Sequence, residues 1–500
     1  MIIQFVGSRR SPAVYPGTSL LSTRGSVGRS EENQNEAIML RLVNTRVLRD
    51  GKLVDDDVWI DAHNGTVVDP MRRFYEAKSS KELEQEQKVD CHGAVVAPGF
   101  IDLQLNGCYG IDFSNVEQMK NRENIRKCCR ELVKTGVTAF CPTLISLKPH
   151  EYKEILQQFA EFLADDQEQQ QQNQGARILG LHLEGPFFNP AKIGAHPAEN
   201  ILSPENGLQK TYQHDLDNVS LFTLAPEQPG ALDVIRDLRA KGITVSIGHS
   251  GAALAEADAG ISAGASMITH LFNAMGAFHH RDPGIIGLLG RHQLRDRVNF
   301  GIICDGLHVN PASVAMAYQS HRKGAVLITD AMSGMGLPTG THALGSQQVE
   351  ITWAQQPDTE PVEVTPDQHS VSSVLRNDDG TMGARSRTNS IGSRVRLSST
   401  RKSKKAVVSG TDTLAGSVVS MEECVQNFHI FTGCSIAETL EAATSHPARV
   451  LGLPATQGNL NFGSVADFVV LDPHTLQVWA TFRNGHCVYQ SPKMPFAFTS

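Results

Sequence analysis

Apolar and polar residues begin to alternate near residue 38, in the runs L-R-L-V-N-T-R-V-L and V-D-D-D-V-W-I-D-A, which a turn signal at Asp50-Gly51 separates. A period of two is typical of strands with one buried face. Similar alternation returns near the carboxyl end, in A-D-F-V-V-L-D and V-W-A-T-F-R. We therefore predict that residues 38–96 and 456–500 build one small β-sandwich, with the middle of the chain inserted between its halves.

The middle of the chain has a different pattern, in which short apolar strands end in polar or glycine residues and are each followed by an amphipathic stretch of helical length. Eight parallel strands with crossover helices close into a barrel. We predict an α/β fold with a (β/α)8 TIM-type barrel over residues 97–360, completed by helices in residues 407–455. The eight predicted strands end at or near Asp102, Leu144, Glu184, Pro226, His249, Asn273, Gly306 and Asp330.

Two segments fit neither pattern. Residues 361–406 are rich in serine, arginine and lysine and poor in large apolar residues. They bury too little surface to offset the entropy of ordering, so we predict a disordered basic insertion. Residues 1–37 have no acidic residue before Glu31, which predicts a disordered extension or, alternatively, organellar targeting by residues 1–30.

Composition narrows the class of partner. The 500 residues carry a net charge of −8, which argues against nucleic acid or an acidic membrane surface, because both require a strong basic field. No run approaches the roughly 18 apolar residues of a membrane helix. The nine cysteines lack C-x-x-C spacing, which suits reduced thiols in a cytoplasmic enzyme. A small anionic substrate is compatible with this charge if a local cation binds it.

The residue types at the predicted strand ends indicate metal chemistry. Barrel enzymes carry their active sites at the carboxyl ends of the strands, where Glu184, His249 and His270 fall together with His308 and Asp330. A carboxylate and two neutral imidazoles are a common ligand set for Zn²⁺ or a related first-row dication. We predict that Glu184, His249 and His270 bind a divalent cation that activates water for hydrolysis.

Asp330, at the last strand end, has the position and the chemistry of a general base. It can take the proton of the attacking water and, once protonated, return it to a departing amine. An aspartate that follows a strand is also favoured as a helix cap, which is the alternative role. Replacement of Asp330 by Asn is expected to abolish turnover and to leave metal and substrate binding intact.

Eight sequence blocks occur along the chain in the order in which a known family has them. They are P-G-F-I-D-L-Q-L-N-G (98–107), H-L-E-G-P (182–186), G-A-H-P (194–197), G-H-S (248–250), T-H-L-F-N-A-M (269–275), D-G-L-H (305–308), T-D-A-M (329–332) and L-A-G-S (414–417). On these blocks the chain, from about residue 38 to its carboxyl end, resembles the N-acetylglucosamine-6-phosphate deacetylases, a family of the amidohydrolase superfamily.

The resemblance implies the metal ligands Glu184, His249 and His270 and the acid/base residue Asp330. It adds His196 as a second catalytic residue, which would polarise the acetyl carbonyl. It also implies a homodimer in which contacts with the sugar phosphate can be shared across the interface. The implied substrate-binding residues are Ala195, His196, Asn273, Ala274, Arg281, Asp305, His308, Leu414, Ala415 and Gly416.

Two features of this pattern concern charge. Arg281, with His308, would contact the phosphate, because a guanidinium is a planar, permanently charged donor fork; the alternative is a surface arginine paired with Asp282. Many members of the superfamily carry H-x-H on the first strand and bind two metals, whereas this chain has Gln104 and Asn106. The resemblance therefore implies one divalent cation per subunit, with Zn²⁺ expected and Fe, Co or Mn as alternatives.

We expect a metal-dependent hydrolase that converts N-acetyl-D-glucosamine 6-phosphate to D-glucosamine 6-phosphate and acetate in amino-sugar salvage. One alternative is another amidohydrolase, acting on a cyclic amide or an N-acyl amino acid, which would not need Arg281 or the G-A-H-P and L-A-G-S blocks. A second alternative is a non-catalytic scaffold on the same barrel. The competent residues at every metal and acid/base position argue against it.

Overall fold

The computed structural model describes residues 39–76, 86–169, 175–344, 347–354, 403–411 and 414–498. The predicted extension of residues 1–37 and most of the predicted insertion of residues 361–406 lie outside these ranges. The described ranges contain 22 strands and 11 α-helices. Among these helices, none is both long and apolar enough to cross a bilayer.

The strands are β1 (Met39–Arg49), β2 (Lys52–Asp61), β3 (Thr66–Val67), β4 (Glu86–Pro98), β5 (Phe100–Leu105), β6 (Gly107–Cys108), β7 (Ile111–Asp112), β8 (Val137–Leu144), β9 (Arg177–Ile178), β10 (Leu181–Glu184), β11 (Val219–Leu224), β12 (Thr244–Ile247), β13 (Met267–Ile268), β14 (Asn299–Ile303), β15 (Ala325–Ile328), β16 (Gly340–Leu344), β17 (Gln347–Ala354), β18 (Ser403–Val408), β19 (Leu414–Gly416), β20 (Phe468–Leu471), β21 (Val478–Arg483) and β22 (His486–Gln490). The α-helices are α1 (Pro70–Glu76), α2 (Val116–Met119), α3 (Arg122–Leu132), α4 (Pro149–Gln169), α5 (Leu208–Tyr212), α6 (Ala231–Ala240), α7 (Leu254–Ala263), α8 (Pro311–Ser320), α9 (Met421–Thr432), α10 (Ile436–Glu441) and α11 (Ser445–Val450). Short 3-10 helices span Val133–Thr135, Ala198–Asn200, Pro204–Asn206, Gly284–Gly290, His292–Leu294 and Arg322–Gly324.

Eight parallel strands form the predicted barrel, in the order β5-β8-β10-β11-β12-β13-β14-β15. The barrel closes between β15 and β5, where the backbone N–H of Asp330 donates to the carbonyl of Gln104 at 2.9 Å and that of Asn106 to the carbonyl of Ala331 at 2.9 Å. The (β/α)8 architecture is therefore confirmed. Closure places the carboxyl ends of all eight strands around one mouth.

The first predicted strand is divided between two sheets. Its V-A-P segment ends β4, and the barrel strand β5 begins only at Phe100, so β5 passes the predicted end at Asp102 and includes Gln104. Gly99 is the junction, and a Cβ on this residue would lie 2.0 Å from Thr138 Oγ1. The two sheets approach so closely here that only glycine fits between them.

Both ends of the described chain contribute to one seven-stranded sheet, in the order β22-β21-β20-β4-β1-β2-β3. The Asp50-Gly51 turn joins the antiparallel pair β1 and β2, whereas β1 and β4 are parallel. The connection from β3 to β4 includes helix α1, and such a crossover returns a strand parallel to its neighbour. The sheet covers a core of its own, in which the rings of Phe468 and Phe482 stack with centroids 4.3 Å apart.

A four-stranded antiparallel sheet, β16-β17-β18-β19, lies where the end of the barrel and the insertion were predicted. Residues 340–344 and 347–354 belong to this sheet rather than to the barrel, and residues 403–406 belong to β18 rather than to a disordered insertion. Val349 and Ile351 alternate with polar neighbours along β17, and together with Ala406 and Val418 they form the small buried core of the sheet. Burial of these few apolar side chains orders a segment whose overall composition is polar.

Candidate active site

The three predicted metal ligands meet at the mouth of the barrel. Glu184 ends β10, His249 follows β12 and His270 follows β13, and each is at most 4% exposed. Glu184 Oε1 lies 3.2 Å from His249 Nε2 and 3.1 Å from His270 Nε2, and the two Nε2 atoms are 3.0 Å apart. This spacing suits a first-row dication, because bonds of about 2.1 Å to a tetrahedral centre place ligand atoms about 3.4 Å apart.

The tautomer of His249 supports this assignment. Its Nδ1 lies 2.9 Å from the carbonyl oxygen of Lys192, which can only accept, so Nδ1 carries the proton and Nε2 presents a lone pair. Burial lowers the pKa of His249, which favours this neutral form. Burial also opposes charge on His270, but the contact with Glu184 raises the pKa of His270. A positive charge beside Glu184 therefore stabilises its buried carboxylate, and a proton or a metal cation can supply that charge.

His196 also faces Glu184, but with a different tautomer. Its Nε2 is 3.8 Å from Glu184 Oε2, so Glu184, His196 and His249 form a second group with metal-ligand spacing. The backbone N–H of Ser146 donates to His196 Nδ1 at 3.0 Å, and burial lowers the pKa of His196 to about 3. The neutral ring then carries its proton on Nε2, which makes that atom a hydrogen-bond donor. The tautomer of His196 therefore disfavours this residue as the third ligand, which favours His270.

Asp330 is held beside this group by two amides. Its Oδ1 accepts hydrogen bonds from Asn106 Nδ2 at 2.8 Å and from Gln104 Nε2 at 3.1 Å, and the same Nε2 donates to Glu184 Oε1 at 2.8 Å. Burial raises the pKa of Asp330 to about 7, and the charge of Glu184 adds to this effect. A carboxyl group with a pKa near neutrality can both accept and return a proton.

Gln104 and Asn106 have a role that their sequence positions did not reveal. An amide oxygen turned toward Glu184 or Asp330 would oppose a carboxylate, so the carboxylates fix the donor orientation of both side chains. The amide oxygens, Gln104 Oε1 and Asn106 Oδ1, are buried without a hydrogen-bond partner among the described residues. Both residues thus present N–H groups, and not lone pairs, to the carboxylates of Glu184 and Asp330.

Asp305, which is buried, and His308, which is half-buried, form a pair near the same mouth. Asp305 Oδ1 accepts from the backbone N–H groups of Leu307 and His308 at 2.8 Å, and Asp305 Oδ2 lies 2.5 Å from His308 Nδ1. Burial opposes charge on both groups, but their contact raises the pKa of His308 and lowers that of Asp305. Asp305, predicted to bind substrate, is thus placed to orient a positively charged His308.

Three of the site residues share an unusual backbone conformation. The φ angles of His249, His270 and Asp330 are +49°, +26° and +45°. Residues other than glycine rarely adopt this left-handed region, and such strained residues cluster at functional sites. The conformation bends the chain where each strand ends, and this feature is not visible in a sequence pattern.

The predicted substrate residues of two loops lie around His249. Ala195 is exposed, and Asn273 and Ala274 are half-buried. A Cβ on Gly194 would lie 3.4 Å from His249 Cε1 and 3.9 Å from Ala274 Cβ. The loops that carry Ala195 and Ala274 therefore converge on one side of the ligand group.

The predicted pocket segment Leu414, Ala415 and Gly416 forms strand β19, and all three residues are half-buried. A parallel bridge links the following residue, Ser417, to Ala331, and the N–H of Met332 donates to the carbonyl of Ser417 at 2.9 Å. This segment therefore runs beside the residues that directly follow Asp330.

Among the described residues, Arg281 has no hydrogen bond to the site residues around Glu184. It is exposed, and the one hydrogen bond seen for it among the described residues joins its backbone N–H to His279 Nδ1 at 3.3 Å. Asp282, the alternative partner, accepts instead from the backbone N–H groups of Leu254 and Gly284. The Arg281 guanidinium is therefore not engaged by Asp282.

The barrel, the strand-end carboxylates and the histidines define a hydrolase of the amidohydrolase type. The amidohydrolase family matches residues 95–496, and the chain belongs to this family.

More specific similarities point within the family. The chain is 39% identical to the N-acetylglucosamine-6-phosphate deacetylase of Rattus norvegicus over 469 residues, which cover 93% of this chain and 98% of the relative. The deacetylase of the same name from Thermotoga maritima has a crystal structure that superposes with a TM-score of 0.66 at 27% identity, covering 90% of this chain and 100% of that one. A variant of the Mycobacterium smegmatis enzyme in complex with N-acetyl-D-glucosamine-6-phosphate gives a TM-score of 0.65 at 26% identity, with 90% and 99% covered.

Proposed function

We propose that this chain is a metal-dependent deacetylase that hydrolyses N-acetyl-D-glucosamine 6-phosphate to D-glucosamine 6-phosphate and acetate. The proposal is supported above all by one observation: three kinds of chemical group lie together at one barrel mouth. Glu184, His249 and His270 present metal-ligand atoms, His196 presents a hydrogen-bond donor, and Asp330 presents a carboxyl group suited to proton transfer. Metal-assisted amide hydrolysis uses all three.

Glu184, His249 and His270 would hold one divalent cation per subunit, with Zn²⁺ expected and Fe, Co or Mn as alternatives. When bound, the cation supplies Lewis-acid activation of water near neutral pH. The restriction to one cation is supported by Gln104 and Asn106, whose amide N–H groups face the carboxylates of Glu184 and Asp330.

Asp330 and His196 would divide the remaining chemistry between them. As water attacks the acetyl carbon, Asp330 accepts the proton of the water, and the Nε2–H of His196 stabilises the negative charge that develops on the acetyl oxygen. When the C–N bond breaks, protonated Asp330 gives the proton to the amine nitrogen. The products are the free amino sugar phosphate and acetate.

His308 and Arg281 would bind the phosphate. Asp305 favours the charged form of His308, and Arg281 is exposed, so the imidazolium and the guanidinium can both bind a dianionic ligand. We infer that the enzyme is a homodimer in which a phosphate contact is shared between subunits, because the exposed Arg281 guanidinium has no hydrogen bond or ion pair within the described part of its own chain. We further infer that the enzyme works in the cytoplasm, which agrees with eight buried cysteines and no disulfide among all nine.

The test is acetate release from N-acetyl-D-glucosamine 6-phosphate by purified, metal-analysed protein, measured beside the unphosphorylated sugar and with Asp330→Asn as the control. We expect release that depends on the phosphate, on one bound metal and on Asp330. No release by folded, metal-loaded protein would exclude this substrate. Cyclic amides and N-acyl amino acids would then be tested, and failure of these too would leave a scaffold role.

A further inference from the structure

Glu227 has no role in the site described so far, yet three hydrogen bonds from two loops converge on its carboxylate. It follows Pro226 just after strand β11 and is half-buried. Glu227 Oε2 accepts from Ser250 Oγ at 2.6 Å, and Oε1 accepts from the backbone N–H of Gly251 at 2.7 Å and from Asn189 Nδ2 at 2.9 Å. A carboxylate has enough lone pairs for all three donors.

Both loops carry or support His249. Ser250 and Gly251 directly follow this residue in the chain. Asn189 begins the other loop, and its backbone N–H donates to the carbonyl of His249 at 3.0 Å. Its own carbonyl accepts from the N–H of Lys192 at 2.8 Å, and Lys192 supplies the carbonyl that fixes the tautomer of His249. Glu227 therefore holds the imidazole loop and the group that orients the imidazole in one hydrogen-bonded unit.

The same unit reaches a third loop of the site. The backbone N–H of Ser250 donates to the carbonyl of Ala274 at 3.1 Å, and Ser250 forms an isolated parallel bridge with Met275. The Asn189 loop continues to His196, the proposed carbonyl-polarising residue. Glu227 thus joins segments that end in a metal ligand, in the hydrogen-bond donor and in the predicted substrate contacts.

We propose that Glu227 is a positioning residue, which sets the metal affinity of the site through His249 and the placement of His196 through Asn189. The proposal rests on the metal site and the activity proposed above. Groups that orient a metal-bound histidine are typically worth about 10–100-fold in metal affinity, because a misdirected imidazole must be reordered when the metal binds.

The test compares Glu227→Ala and Glu227→Gln with the wild type by titrating metal-free protein with Zn²⁺. We expect Glu227→Ala to raise the dissociation constant of Zn²⁺ by about 10–100-fold. We expect Glu227→Gln to recover most of the loss, because the amide oxygen can still accept from Gly251 and Asn189 and the amide nitrogen can donate to Ser250. At saturating Zn²⁺, the kcat of Glu227→Ala should stay lowered, since the loop of His196 is also released.

Glu438→Ala is the matched control. Glu438 Oε2 also accepts from a backbone N–H and a hydroxyl, those of Ser435, but it does so at the start of helix α10 and away from the metal ligands. We expect this variant to lower the unfolding temperature and to leave the Zn²⁺ affinity unchanged.

The proposal is overturned if Glu227→Ala binds Zn²⁺ like the wild type and loses only thermal stability, as Glu438→Ala does. If Glu227→Ala does not fold, Asn189→Ala, which removes one of the three hydrogen bonds, must raise the dissociation constant in the same direction, and an unchanged constant overturns the proposal. The Zn²⁺ titration contains no substrate. A wild-type protein that binds Zn²⁺ but releases no acetate would therefore refute the proposed activity while the role of Glu227 is still decided by the titration.

Discussion

Truncation to Ala should have different effects at His196 and His270: loss of kcat at His196 and loss of metal affinity at His270. Both lie within reach of Glu184, and both are buried, at 7% and 3% exposed, so replacement of either by Ala removes a similar amount of packing. The surroundings of the two rings differ. His270 Nε2 points at the other two ligand atoms, whereas His196 has its Nδ1 occupied by the N–H of Ser146 and must carry its proton on Nε2.

The expected magnitudes follow from these two roles. His270→Ala removes one of the three proposed ligands, so its loss of metal affinity should exceed the about 10–100-fold that residues orienting a metal ligand contribute. His196→Ala removes a donor aimed at the developing charge. Loss of one such donor lowers kcat by about 10²–10³-fold, or about 2.7–4 kcal/mol, with metal retained.

The assay combines metal analysis after dialysis with kcat measured in saturating metal and substrate. His446→Ala serves as the control for truncation of a buried histidine, because His446 is 6% exposed and contacts the carbonyl of Ala325 instead of the site. It should retain both metal and kcat. Loss of metal from His196→Ala together with full metal in His270→Ala would refute the tautomer argument and select Glu184, His196 and His249 as the ligands.

Three further perturbations test the surroundings of the site. Burial raises the pKa of Asp102 from its ordinary 3.8 to about 7, so the stability that protonated Asp102 contributes below pH 3.8 should be lost as the pH rises to about 7, by about 4 kcal/mol. Asp102→Asn should flatten this pH dependence in urea unfolding, and an unchanged slope would contradict the assignment. Arg281→Ala should raise KM for the phosphorylated sugar far more than for an unphosphorylated analogue, and equal effects would exclude a phosphate contact. Gly99→Ala should lower the free energy of unfolding in a denaturant titration by about 1–3 kcal/mol, because its Cβ would overlap Thr138. Gly290→Ala is the control, because its Cβ meets nothing within 4 Å, and it should change the free energy of unfolding by less than about 0.5 kcal/mol.

The barrel and the gathering of Glu184, His249 and His270 could be predicted from the sequence because a parallel barrel brings all strand ends to one mouth. That rule requires only the residue type at each strand end. The sheet of strands β16 to β19 could not be predicted in this way. Its core consists of a few apolar residues separated along the chain by a long polar segment, and local composition there favours a loop.

The roles of the histidines depend on information of another kind. His196 and His249 are both neutral imidazoles beside Glu184, and the ring centroids are 4.7 Å apart. A backbone N–H reaches Nδ1 of the first ring and a backbone carbonyl reaches Nδ1 of the second, so one Nε2 becomes a donor and the other presents a lone pair. The N–H belongs to Ser146, 50 residues before His196, and the carbonyl to Lys192, 57 residues before His249. Each partner contributes only a backbone group, so its residue type does not distinguish it from other residues in the sequence. The chemical division between the two histidines is therefore a property of how the loops fold over the barrel mouth. Glu227 holds those loops, and this is the physical reason for proposing that it acts on the site without contacting metal or substrate.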